Sequence, residues 1–236
     1  MEVGRPDSIH RSWRSMIRQR KWIAMLCCLL LSIASGYGLW LEMAPFLTKP
    51  IKEAVSADEL AGEDFVFGLS SYSKLTVMSD CFRLVLSYSD IDMVDETVRG
   101  VVSRCADRAA EVVKTTPTDS FAWLVRAAAS VRLAANEDFN IALQNSQLTG
   151  PNEQWIARFR VNLAENYFSA LNPRSLKSEE ADLRLLVSSE KGIQLIAKRY
   201  ISNPDFRARI TTVVETMPPR RQAVFLKVVK QAMNKG

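Results

Sequence analysis

Two cysteines, one cluster of carboxylates and a few arginines interleaved with aromatic rings are the residues whose types and spacing could do chemistry. The one histidine, His10, stands among arginines near the N-terminus. That position excludes a Ser/His/Asp or Cys/His nucleophilic arrangement, and any histidine metal site, in the rest of the chain. No Walker sequence, glycine-rich phosphate loop or Cys-x-x-Cys pair occurs. The reading therefore assigns no catalytic residue, cofactor or metal ligand. Carboxylates could still serve alone as acid and base, as in glycoside hydrolysis, and Asp90, Asp92, Asp95 and Glu96 are the obvious group. A turn followed by the acidic start of a helix explains their spacing without a ligand. A calcium loop would need more ligands and a glycine at its sharp turn.

Cys81 and Cys105 are the only cysteines outside the apolar N-terminal run, which holds Cys27 and Cys28. Each lies 12 positions from Met93, beside the turn that the aspartates mark. An antiparallel helical hairpin about that turn would bring them face to face. Two readings follow: a disulfide staple in an oxidising compartment, or two buried thiols. Trp155, Arg158 and Tyr167 are the protein-binding candidates. Arg158 and Arg160 with Trp155 and Tyr167, or the pair Arg126 and Arg132, could form a cationic-aromatic groove for an acidic peptide or a sugar. A solvated helix face explains the same residues with no ligand.

The elements that must carry these residues begin with a membrane segment. Residues 22–41 are almost uninterruptedly apolar, from Trp22 to Leu41. At about 1.5 Å per residue they cover about 30 Å, the thickness of a bilayer's hydrocarbon core. Residues 1–21 carry 6 basic and 2 acidic side chains, so the high pI belongs mainly to this flank and the remaining chain is close to neutral. Nucleic-acid binding, which needs a basic face on the folded domain, is not indicated. Basic flanks stay cytoplasmic, which predicts a cytoplasmic tail (1–21), a transmembrane helix (22–41), a stalk or linker (42–70) and an extracytoplasmic domain (71–236). The rival reading is a cleaved signal peptide, with Ser32 and Ala34 as the small residues a peptidase would read. Within the run, Ser32 and Gly36 have the small-xxx-small spacing that lets another membrane helix approach.

Beyond residue 70 nearly every stretch has helical periodicity, predicting an all-α body of stacked antiparallel hairpins. The expected helices cover about 71–88, 92–114, 119–131, 137–148, 155–171, 178–201, 204–215 and 218–235, separated by turn signals such as Gly150-Pro151-Asn152 and Asn203-Pro204. Pro117 and Pro151 are 34 residues apart, and Trp123, Ala127, Leu143 and Pro151 fall on the aromatic, small, large apolar and proline positions of one unit. The stretch from about Thr116 to Leu171 thus resembles a degenerate tetratricopeptide repeat. It departs from the motif at Arg126, Ser130 and Phe139, and Pro173 breaks the register of the next unit. The resemblance implies a protein-binding or scaffolding surface in a helical solenoid.

Together these features predict a non-catalytic, single-pass adaptor of the bacterial inner membrane with its domain in the periplasm. Its expected partners are other membrane or periplasmic proteins, with cell-envelope or exopolysaccharide assembly as the context. The alternatives are a regulatory subunit of an integral-membrane enzyme, a carboxylate-based enzyme, and a cleaved secreted binding protein.

Overall fold

A computed structural model describes residues 7–47 and 70–234. Most of the linker expected at 42–70 lies outside the described residues. Among those described there are ten α-helices and no strand. The chain divides into two units, one holding the N-terminal helix and the other the helices from Lys74 onward.

Helix α1 runs from Asp7 to Leu47 without a break, so it continues beyond both ends of the apolar run. Its stretch Arg20–Met43, 24 residues with a mean hydropathy of 1.9, is long and apolar enough to cross a membrane. Trp22, Leu29, Leu31 and Leu39 all point outward and are more than half exposed. A helix apolar all round in this way suits hydrocarbon as its surroundings. Ser32 turns its hydroxyl back onto the Cys28 carbonyl at 2.9 Å, and nothing lies within 4 Å of where a Gly36 side chain would begin.

The second unit contains most of α2 (Ser71–Ser87) and all of α3 (Glu96–Thr115), α4 (Ser120–Arg132), α5 (Asn136–Thr149), α6 (Gln154–Asn166), α7 (Pro173–Val187), α8 (Glu190–Ser202), α9 (Pro204–Glu215) and α10 (Pro219–Met233). From α4 onward each helix packs on its successor and on the next but one, and α3 packs on α4. The helices start where side chains can satisfy the first backbone N–H groups. Asp95, Asp119, Asn172, Ser189 and Asn203 cap α3, α4, α7, α8 and α9 in that way. Each such cap contributes about 1 kcal/mol. Cys81 of α2 and Cys105 of α3 are joined by a disulfide, with Cα atoms 5.5 Å apart. In the chain-entropy account, closing a loop of that length removes about 3 kcal/mol of freedom from the unfolded chain.

Four expected boundaries differ, the first being the start of α7, which lies at Pro173 behind its Asn172 cap and not near residue 178. A 3-10 turn, Asp92–Val94, precedes α3, which begins only after Asp95 leaves helical geometry to act as its cap. Helix α6 ends at Asn166, and residues 168–170 form another 3-10 turn. The single helix expected over 178–201 is two, because Ser189 is extended (φ −136°, ψ 150°) and accepts the Gly192 N–H. The apolar period continues in phase through this break, which hides it from a periodicity argument. Gly192 makes the corner possible: a Cβ there would lie 2.1 Å from the Leu186 carbonyl oxygen.

The turn from α4 to α5 has one residue in the left-handed region, Ala134, at φ 59°. The Ala135 N–H bonds the Ser130 carbonyl and the Ala134 N–H bonds that of Val131, the paired bonds of a Schellman ending. Glycine is the usual occupant because a Cβ is strained there. Ala134→Gly is therefore expected to raise unfolding free energy by about 1 kcal/mol, read as a higher urea midpoint at unchanged slope. Gly192→Ala is expected to lower it by about 1–3 kcal/mol, since the intruding atom meets backbone.

Candidate functional site

The arginine at the centre of the expected cationic groove faces the other way. Arg160 is 1% exposed, and its period within α6 matches the buried residues Ile156, Ala157, Val161 and Ala164. Its Nε and Nη2 donate to the two carboxylate oxygens of Asp182 on α7, each at 2.6 Å. Nη2 also reaches the Gly150 carbonyl at 3.1 Å, and Nη1 reaches Ser120 Oγ at 3.2 Å and the Ser146 carbonyl at 3.1 Å. All five guanidinium N–H donors thus have acceptors, on three neighbouring helices or their ends. Gly150 is tightly placed here, since a Cβ would lie 2.4 Å from Ser120 Oγ. Burial pushes the Asp182 carboxyl up and its bonds to Arg160 pull it back. Truncating the acid strands a buried cation, so Asp182→Ala is expected to cost about 3–5 kcal/mol in denaturant unfolding.

That pairing fixes the outward face of α6, where Trp155, Phe159, Asn162 and Asn166 follow one another at helical spacing. Phe159 meets Phe82 of α2 edge-on at 5.1 Å, Phe82 meets Phe121 of α4 at 5.5 Å, and Phe121 meets Trp155 at 5.2 Å. Beside this aromatic row lies a cleft of about 330 Å³, lined by Phe82 and Leu86 of α2, by Tyr88, by Asn162 and Asn166 of α6, and by Tyr167. Arg132, at the end of α4, forms its floor and holds it together. The guanidinium donates to the carbonyls of Tyr88 and Ser89, to the Asp90 carboxylate and to the Tyr167 hydroxyl. Tyr88 keeps its proton, because burial and then the nearby Asp92 raise its pKa above the ordinary phenol value.

Of the protein-binding candidates, only Tyr167 lines this cleft. Trp155, 47% exposed, sits toward the opposite end of α6. The Arg158 guanidinium stacks over Phe159 at 4.3 Å, with its Nε buried and unbonded. Arg126 lies over the Trp123 ring and pairs loosely with Asp138, whereas Arg132 grips Tyr88, Ser89 and Asp90. The three candidates therefore do not converge on one site. Asn162 and Asn166 escaped the sequence reading because amides on a helix face carry no spacing signal of their own.

A second cleft, of about 280 Å³, lies between α7 and α9 and is lined by Phe168, Glu179, Arg184 and Arg209 among others. Beneath it, both carboxylate oxygens of Glu165 accept from Arg209, whose guanidinium lies over the Phe168 ring at 4.1 Å. Glu179, whose buried Oε1 has no hydrogen-bond partner, is pushed up to about 8, first by burial and then by the charge of Glu165. It therefore holds at neutral pH a proton that the unfolded chain has released. Stability contributed by this group falls as pH rises from about 4.5 to about 8. Glu179→Gln removes the titration at nearly constant side-chain volume. The variant is expected to match the parent near pH 5 and exceed it increasingly toward pH 8, by up to about 1.4 kcal/mol per pH unit, in parallel unfolding series.

Of the exposed acids Asp90, Asp92, Asp95 and Glu96, the three aspartates have structural partners of their own. Asp92 accepts from the Ser89 N–H and hydroxyl, Asp95 caps α3, and Asp90 pairs with Arg132. Among the described residues no group of three or more histidine, cysteine or acidic side chains is placed to hold a metal ion. No protein-family model, curated protein or solved structure matches this chain.

Proposed function

We propose that this protein is a membrane-anchored, non-catalytic adaptor whose helical body binds an extended segment of another membrane or periplasmic protein. The observation that carries the reading is the cleft beside α6. Its walls are apolar and aromatic at Phe82 and Leu86, and its exposed rim offers the Asn162 amide and, one turn on, the amide N–H groups of Asn166, whose oxygen accepts from Arg199. Side-chain amides present a donor and an acceptor together, which is what a peptide backbone needs from a binding surface. The restraint of the rim by Arg132 and Arg160 lowers the ordering cost of binding.

The body reads as a degenerate tetratricopeptide-like stack. In support, α4 and α6 begin 34 residues apart, at Ser120 and Gln154. Ala127 and Leu143 are buried where the repeat uses small and large apolar residues, and packing runs to the next helix and the next but one. Helix α1 serves as the anchor, with its basic flank cytoplasmic and the body outside the cytoplasm of a bacterial inner membrane. The Cys81–Cys105 disulfide suits such an oxidising compartment. Ser32 and Gly36 provide a face for lateral contact with a neighbouring span. Accessory work in envelope or exopolysaccharide assembly is the context this layout suits.

The test is purification of the tagged full-length chain from its native membranes in mild detergent, with intact mass and identification of what accompanies it. A full-length mass and a stoichiometric membrane or periplasmic partner are expected. Asn162→Ala with Asn166→Ala should then release that partner at least tenfold more readily at unchanged melting temperature. Retention by the double variant overturns the assignment of the cleft. A mass beginning at Ser35 replaces the anchored adaptor with a secreted protein.

A further inference from the structure

Helix α10, the last of the described helices, leaves one face uncovered. Phe225, Val228 and Val229 are buried against the body, whereas Leu226 and Met233 are 61% and 60% exposed. Around them Arg220, Arg221, Lys227 and Lys230 all reach solvent, and no acidic residue follows Glu215. The exposed side therefore carries two large apolar side chains and four basic ones, with no acid among them.

The turn from α2 to α3, in the same unit, has the reciprocal character. Ile91 and Val94 are 83% and 82% exposed, the highest values for large apolar side chains among the described residues. They stand among Asp90, Asp92, Asp95 and Glu96. This turn is well braced: Ser89 bonds Asp92, the Val94 N–H bonds the Ile91 carbonyl, and Arg132 grips Tyr88, Ser89 and Asp90. None of those bonds involves the side chains of Ile91 or Val94. The Ser89 N–H and hydroxyl hold the Asp92 carboxyl below its ordinary value, which favours its charged form.

Two acidic turns repel each other, as do two basic helices, and that leaves the unlike pair as the favourable contact. We propose that the Ile91–Val94 turn of one copy docks on the outward face of α10 of a second copy, head to tail. The branched side chains of the turn meet Leu226 and Met233, and the surrounding acids meet Lys227, Lys230 and the two arginines. Because the two patches differ, each added copy leaves a free turn at one end and a free helix at the other. The contact therefore propagates into rows or closed rings rather than stopping at a pair.

The test uses two full-length copies with different tags, one carrying Ile91→Cys and the other Leu226→Cys, both in a Cys27→Ala, Cys28→Ala background. They are mixed in detergent micelles and treated with a short bismaleimide. The expected result is a covalent pair containing both tags. Its yield should be at least tenfold above either variant treated alone, and should drop at least tenfold when the Leu226→Cys copy also carries Lys227→Glu and Lys230→Glu. Thermal melts confirm that each variant is folded. A mixed yield no higher than the single-variant controls overturns the proposal, as does a yield that charge reversal leaves intact. So does a fluorophore on Leu226→Cys that shifts blue in phosphatidylglycerol vesicles, relative to phosphatidylcholine, and ignores the Ile91→Cys copy. That result would assign α10 to an anionic membrane surface.

Discussion

The buried pair of Arg160 and Asp182 is the constraint on which the arrangement of the body depends. One guanidinium draws together the start of α4, the end of α5, the middle of α6 and the middle of α7. An aliphatic core could hold those helices with similar strength, because the desolvation of a buried ion pair offsets most of its attraction. What the pair adds is register. A slip of α6 by one position would move the cation off five acceptors at once, while a leucine could find new contacts after the same slip. Glycine at 150 and serine at 120 and 146 belong to the same device, since larger residues would displace the carbonyls and hydroxyls it uses.

Either side of this hub the packing is of two kinds. Toward the N-terminus, α4 is lined with Ala122, Ala127, Ala128 and Ala129, all fully buried, so neighbouring helices come close. Toward the C-terminus the core becomes bulkier, with Phe206, Ile210, Phe225 and Leu186 filling the space between α6 and α10. The cleft beside α6 lies on the small-residue side, where Phe82, Phe121 and Phe159 supply the bulk that the alanines lack.

Much of this was legible in the chain because local signals agreed with it. The apolar run, the absence of alternating stretches and the aspartate and asparagine caps pointed to one long N-terminal helix and an all-helical body. The equal spacing of Cys81 and Cys105 about Met93 set them opposite each other in a hairpin, as the disulfide has them. Arg160 was expected in an exposed groove or on a solvated face, although it shares the apolar stripe of α6, and Asp182 was not singled out, although it lies beside Leu183 and Leu186 on that of α7. Their pairing was not readable, because it depends on how two helices meet. The corner at Ser189 was hidden by a period that stays in phase across it. Tyr167 looked like a further turn of the helix holding Trp155, but α6 ends one residue earlier and the two rings part company.

The disulfide and the last helix give the body a direction. The first hairpin is covalently closed, and its turn is gripped by Arg132 from α4. Among the described helices, α10 packs mainly on α8 and α9. In a row of helices that lean on near neighbours, opening starts where neighbours are fewest and costs least there. The body therefore frays from its C-terminal end like a zip fixed at one stop. Amide exchange should grade along the chain from α10 back to α3, and the cleft beside α6 should outlast several rounds of such opening.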